Sequence, residues 1–294
     1  MIHYWVASHI SGIFTIHDEH KNTLEKGSRG AGFSISRGTT TSVEFSEDGK
    51  HHVFFNNKEV DEKKGNITFY VLKYVLNLEK NRNKIDFGIN IFHEFEVPLS
   101  SGYGASASGA LGCALALNDL LDLGLEEKEI YQIAHTAEIV EGGGLGDILA
   151  LYQGGWEYRL KEGAPFVGQA KNILHNGYKV ATIHFGQLST KSIIKNPNWK
   201  EKINNVGIVL MNDLIKEPTI RNFAIISKQF SISSFLTTPE IVDFMNKYDS
   251  ENLLISQIML GNGVFIVYQN QKDLPSHENL VLEEICHSTI KKIQ

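Results

Sequence analysis

Residues 101–112 read SGYGASASGALG, from Ser101 to Gly112, and the bulkiest side chain in the run besides Tyr103 and Leu111 is a hydroxymethyl group. Glycine is used where the chain takes positive φ or where something must touch its peptide groups, and each use costs conformational entropy. The stretch follows a strand-like segment, KIDFGINIFHEFEVP, in which Phe87, Ile89, Ile91, Phe95 and Val97 fall on one face and Asp86, Asn90, Glu94 and Glu96 on the other. His93 interrupts the apolar face, and Pro98 closes the strand because it has no amide for a continuing ladder. From Ser106 to Leu121, SASGALGCALALNDLL reads as a helix whose small end faces the glycine loop. A glycine loop entering a helix start offers free amides and the positive end of the helix dipole, which together suit an anion.

Further along, EEKEIYQIAHTAEIVE predicts a second helix over about 126–141, stopped by Gly142-Gly143-Gly144. Asp147 opens a third helical segment, DILALYQ, ended by Gly154-Gly155. WEYRL then alternates as a strand, with Trp156, Tyr158 and Leu160 on one side and a polar side of Glu157, Arg159 and Lys161. Beyond about residue 165, KVATIHF and NGVFIVY read as strands, and PEIVDFMNKY and HENLVLEEICHSTIKKI as helices. The fold class is therefore α+β with two units sharing an interface, residues 1–165 and 166–294.

The totals bound the function. The 294 residues are 42% hydrophobic with a formal charge of −6, which argues against a general polyanion binder such as a nucleic-acid protein. Cys113 and Cys286 lie far apart with no metal-ligand spacing, so buried thiols are expected rather than a disulfide framework or a zinc site. No stretch reaches 18 consecutive apolar residues and MIHYWVASHISGIF has no signal-peptide pattern, so a cytoplasmic protein without membrane contact is expected. A Walker A loop would need Gly-Lys-Ser/Thr, and no lysine lies between Pro98 and Lys128. GYGASA fits the loose dinucleotide pattern, but a helix follows where a second parallel strand with its ribose-binding acid should be.

A third kind of loop fits better. Pro98-x-x-x-Gly102-x-Gly104-Ala105-Ser106-Ala107 resembles the P-x-x-x-G-L-G-S-S-A-A phosphate loop of the GHMP kinases, with Ala105 in place of the first serine. Gly27-Ser28-Arg29-Gly30-Ala31-Gly32, Ala134-His135-x-x-Glu138, Gly144-Leu145-Gly146-Asp147 and Met259-Leu260-Gly261-Asn262 are similar to the archaeal pantoate kinases within that superfamily. Ala7-Ser8-His9 stands where the superfamily has Pro-Gly-Lys, its last position as in the pantoate branch.

The resemblance implies a two-domain GHMP kinase fold: an N-terminal domain like ribosomal protein S5 domain 2 and a ferredoxin-like C-terminal domain. It implies ATP and Mg²⁺, pantoate as substrate and 4-phosphopantoate as product for coenzyme A synthesis, and it allows a homodimer. Gly102, Gly104, Ala105 and Ser106 would hold the phosphates, Ser106 and Glu138 the metal, and Asp147 would act as base or orienter. Ser28, His135 and Arg159 would grip pantoate, Arg159 by a bidentate contact to its carboxylate.

Each residue also has a structural alternative. Ser106 and Asp147 can be helix N-caps, Glu138 a solvated helix residue, His135 a satisfied helix histidine and Arg159 a solvated strand residue. LGNGVF reads equally as an Asn-Gly hairpin turn or as a loop supporting the phosphate site. Ser189-Thr190-Lys191 is a candidate closing loop. Two rival functions remain: a GHMP kinase for another small hydroxy compound, mevalonate- or homoserine-like, and a noncatalytic binding module on the same fold.

Overall fold

The computed structural model describes residues 1–78, 87–174, 177–186 and 197–293. Asp86 and the 189–191 loop lie outside these residues. The chain opens with two long antiparallel strands, β1 (Ile2–Phe14) and β2 (Gly30–Ser46). Short strands β3 (His52–Phe55) and β4 (Lys58–Val60), helix α1 (Asn66–Leu76) and strand β5 (Gly88–Phe95) follow. Three helices come next, α2 (Ala105–Leu120), α3 (Glu127–Glu141) and α4 (Asp147–Gln153), and then strands β6 (Trp156–Lys161) and β7 (Gln169–Asn172). These strands belong to one sheet, whose main order is β12-β1-β2-β5-β3-β4 once β12 (Ile290–Ile293) is added from the far end of the chain.

Strand β2 decides where the site forms. Its first residues, Gly30–Phe33, pair with β6, and its second half, Thr39–Ser46, pairs with β5, while β1 runs along its other edge. One face of this sheet packs on α1, α2 and α3 through Val6, Val43, Ile91, Leu111 and Leu117. In the β1-β2-β6 part, Ile10, Phe33 and Trp156 point the other way, into a second core. There Phe33 lies 4.7 Å from Trp156 and 5.3 Å from Phe265, measured between ring centroids. This core also takes in Phe223 and Phe230 of α6 (Ile220–Ser233), which follows α5 (Pro197–Lys216), so it spans residues on both sides of the expected boundary at 165, as does the first sheet with β7 and β12.

The second sheet has the order β11-β8-β10-β9, all antiparallel: β8 (Lys179–Gly186), β9 (Leu253–Gln257), β10 (Asn262–Tyr268) and β11 (Leu280–Glu283). Helix α7 (Pro239–Tyr248) covers it through Ile241 and Met245, its start fixed by Thr238 accepting the Ile241 amide and by Pro239 in the first turn.

The segment HENLVLEEICHSTIKKI is not the helix expected from its apolar spacing. It forms β11 against β8 and β12 against β1. Both ladders fill sheet edges distant in sequence, and such pairing overrides a local preference.

Candidate active site

Strand β5 ends before Pro98, and the loop that follows reaches α2 through two glycines in the left-handed region, Gly102 at φ 81° and Gly104 at φ 64°. A Cβ on Gly102 would lie 2.5 Å from the Met259 carbonyl oxygen, so this residue is pressed against the turn between β9 and β10. That turn has Leu260 at φ 59° and Gly261 against the Ser101 carbonyl; it is not the expected Asn-Gly turn, because Asn262 and Gly263 already belong to β10, and it packs against the loop before α2. Gly104 occupies the N-cap of α2 and no side chain caps the helix, which leaves the first-turn amides open. Tyr103 between the glycines is buried beside the Arg37 guanidinium, and its carbonyl accepts the His9 amide at 3.1 Å.

Ser106 is not the cap expected as its structural alternative. It lies inside the first turn, exposed, and its hydroxyl donates to Glu138 Oε2 at 3.1 Å. Glu138 is not a solvated helix residue either; it is fully buried on the inner face of α3. Its Oε2 also accepts the Gly144 amide at 2.6 Å, whereas its Oε1 is buried without a hydrogen-bond partner. Burial, and after it the charge of Asp147, push the Glu138 carboxyl up to about 8 against the opposing pull of those two hydrogen bonds. The glycine turn after α3 is required here: a Cβ on Gly143 would stand 2.5 Å from Glu138 Oε2, and one on Gly144 2.0 Å from Asp147 Oδ2.

Asp147 is the first residue of α4, and Gly146 holds the cap position. The Asp147 side chain instead meets His9 on β1, with Oδ1 2.9 Å from Nδ1. The other ring nitrogen, Nε2, lies 3.0 Å from Glu157 Oε1 on β6, and the same oxygen accepts Arg159 Nη1 at 2.5 Å. Burial opposes a charge on His9, but hydrogen bonds to Asp147 and Glu157 outweigh it and raise its pKa. In the sequence His9 stands out only as the position of Ala7-Ser8-His9 that matches the pantoate branch, and Glu157 only as a polar-side residue of WEYRL. The available signal was the alternation of WEYRL, which puts Glu157 and Arg159 on one polar side; that this side lies opposite Gly30-x-Gly32 comes from the strand pairing.

That polar face is buried. Arg159 is 1% exposed, contrary to its reading as a solvated strand residue, and Nη2 also donates to Ser11 Oγ at 3.3 Å. Its Nε is buried without a partner and faces Gly146, where a Cβ would meet Nε at 2.9 Å and the Ser28 Cβ at 3.1 Å. Ser28 and Arg159 thus converge one residue from Asp147. His135 takes a different place: its Nε2 lies 3.0 Å from the Lys26 carbonyl oxygen, and burial lowers its pKa to about 4 despite hydrogen bonds to the Lys26 and Thr23 backbone. It is therefore a neutral donor that fastens the segment carrying Ser28.

Among the described residues no three His, Cys, Asp or Glu side chains form a group that could hold a metal ion. A divalent cation at Glu138 and Ser106 would have to complete its shell with phosphate oxygens and water, the habit of Mg²⁺ rather than of a protein-caged metal. The unpaired Glu138 oxygen fits such an ion. Among the described residues, too, no helix is long and apolar enough to cross a membrane.

Residues 69–155 match the family "GHMP kinases N terminal domain". The pantoate kinase of Methanocaldococcus jannaschii is 35% identical over 91% of this chain and 93% of its own length. That of Thermococcus kodakarensis is 32% identical over 92% of this chain and 89% of its own. A solved structure titled "Phosphotransferase related to CoA biosynthesis pathway" superposes with a TM-score of 0.85 at 28% identity, covering 99% of this chain and 98% of that one. Agreement at this level along nearly the whole sequence means that the chain belongs to the pantoate kinase family, within the GHMP kinases and with their fold.

Proposed function

We propose that this protein transfers the γ-phosphoryl group of ATP to the primary hydroxyl of pantoate, giving 4-phosphopantoate for coenzyme A synthesis. The observation that carries this reading is the placement of Asp147 between two features: the open start of α2 on one side and the buried Arg159–Ser28 corner on the other. Phosphoryl transfer needs little covalent chemistry from the protein, and positioning plus charge stabilisation do most of the work. The amides from Gly102 to Ser106 receive the phosphates. Glu138 and Ser106 would hold Mg²⁺, which when bound supplies positive charge to the polyphosphate. Asp147 orients the pantoate hydroxyl toward the γ-phosphorus and accepts its proton as the new P–O bond forms and the bond from the γ-phosphorus to the bridging oxygen breaks, ADP leaving with that oxygen. Arg159 and Ser28 bind the substrate carboxylate end, and His135 holds Ser28 in place. The reading extends to a homodimer in the cytoplasm, which the size of the purified protein and its cellular fractionation decide.

ADP release from purified protein with pantoate, mevalonate, homoserine and pantoyl alcohol tests the reading. Pantoate is expected to turn over best, and pantoyl alcohol, which lacks the carboxylate, poorly. Losing charge-assisted bonds of roughly 1.5–3 kcal/mol in Arg159→Ala should weaken use of the acid about ten- to a hundredfold and barely change use of the alcohol. Faster turnover of mevalonate or homoserine would overturn the substrate, and ATP binding without any turnover would leave a binding module.

A further inference from the structure

Neighbouring strands lie about 4.8 Å apart, so side chains on β1 and β6, with β2 between them, start about 10 Å from each other. Here they meet. Ser11 pairs with Gly32 and His9 with Ser34 across one edge of β2, while Gly32 pairs with Glu157 and Gly30 with Arg159 across the other. Paired residues share a sheet face, so His9, Ser11, Glu157 and Arg159 all stand over the same part of β2. That part is glycine for a steric reason: a Cβ at Gly32 would lie 2.6 Å from His9 Nε2, and one at Gly30 2.6 Å from Arg159 Nη2. The Gly30-x-Gly32 motif therefore clears a channel over β2 in which two outer strands exchange charged hydrogen bonds.

Glu157 is fully buried at the centre of this channel, and its Oε1 receives both His9 Nε2 and Arg159 Nη1. A carboxylate without exposure costs several kcal/mol unless cations and donors surround it. On its own, that arrangement could be a structural ion pair. The ends of the chain give it direction: His9 continues to Asp147, and Arg159 ends in an unpaired, buried Nε facing Ser28 and Gly146. Charges alternate along the row, Asp147, His9, Glu157, Arg159, and the open end calls for an anion.

We infer that Glu157 is a positioning residue that holds His9 and Arg159 on one carboxylate oxygen, linking the group that grips the substrate's carboxylate to the base that orients its hydroxyl. This rests on the proposed substrate only for what occupies the open end. His9 is faced by Asp147 from α4 and Glu157 from β6, with Glu138 beyond the first and Arg159 beyond the second. Glu157 keeps the imidazolium ring between its two carboxylates, so Asp147 keeps one rotamer and one partner. An anion arriving at Arg159 draws on the same guanidinium that Glu157 holds.

Glu157→Gln keeps the size of the side chain but cannot neutralise two cations. Its kcat with pantoate should fall about ten- to a hundredfold with the ATP KM unchanged, the usual loss when the support of a reacting group is removed. Nitrogen NMR of the His9 ring, recorded without ligand, supplies a readout that a merely structural role would not move. Relative to wild type, His9 should bind its proton about tenfold more weakly in Glu157→Gln and more tightly in Arg159→Ala, which removes the competing cation. Glu157→Asp, which retains the charge, should recover the His9 titration in part and controls for folding. A His9 titration equal in wild type and Glu157→Gln, or a kcat within about twofold of wild type, overturns the inference. If wild type turns over no pantoate, the proposed function fails, and the ligand-free titrations still decide the linkage.

Discussion

Glu138 makes the ligand-free protein less stable as pH rises. Its carboxyl is moved from 4.5 to about 8, chiefly by burial. Between those values the folded state holds a proton that the unfolded chain has released, so stability falls with increasing pH through this window. Glu138→Gln removes the loss. At pH 8 the variant should melt several degrees above wild type without Mg²⁺, the gap closing toward pH 4.5, and added Mg²⁺ should stabilise wild type only; thermal denaturation across pH reads all three. Asp147→Asn tests the other carboxylate. Gly146 occupies the cap of α4, so the substitution costs no capping, and the melting temperature should fall only through the lost charge opposite His9. Single-turnover kinetics should show a fall of about 10²- to 10⁴-fold, the range for loss of a general base.

At the scale of elements, the site depends on two short connections pressed together. The loop before α2 and the turn between β9 and β10 meet at Gly102, where φ is 81° and the Met259 carbonyl blocks a side chain. Gly102→Ala must move one of them. The expected cost is about 1–3 kcal/mol in stability, seen as a shifted urea midpoint, with the ATP KM raised about tenfold and the pantoate KM nearly constant. An unchanged ATP KM would separate the loop from phosphate binding. Helix α3 contributes differently: its capping box of Glu126 and Glu129 and its Gly142 end fix where Glu138 stands, one turn after His135.

The whole molecule closes on itself at its last strand. β12 covers the outer edge of β1, Thr289 Oγ1 donates to the Leu151 carbonyl at the end of α4, and the Thr289 carbonyl accepts the Ala7 amide. The far terminus thus braces both elements that carry the Asp147–His9 pair. A chain ending at residue 288 would leave β1 as an unpaired edge and a buried carbonyl unsatisfied, at a cost of about 1–3 kcal/mol for that group alone. A lower melting temperature and concentration-dependent aggregation in light scattering are expected; a monomer with wild-type stability would show the strand to be dispensable.

Local chemistry alone determined the parts of this protein that are contiguous in sequence. The glycine entry to α2, the stop of α3 at Gly142 and the start of α4 at Asp147 follow from backbone freedom and apolar spacing within a few residues, so they were legible. The family motifs added roles for Ser106, Glu138 and Asp147. Periodicity also put Glu157 and Arg159 on one side of WEYRL, but alternation says which residues share a face and not what covers it. Only the tertiary structure buried that face beneath His9, because the contact spans 148 positions and needs the glycines of a third strand between. For the same reason HENLVLEEICHSTIKKI became two strands: the edges of β8 and β1 that receive it lie elsewhere in the chain, and no local propensity reports an edge waiting to be paired.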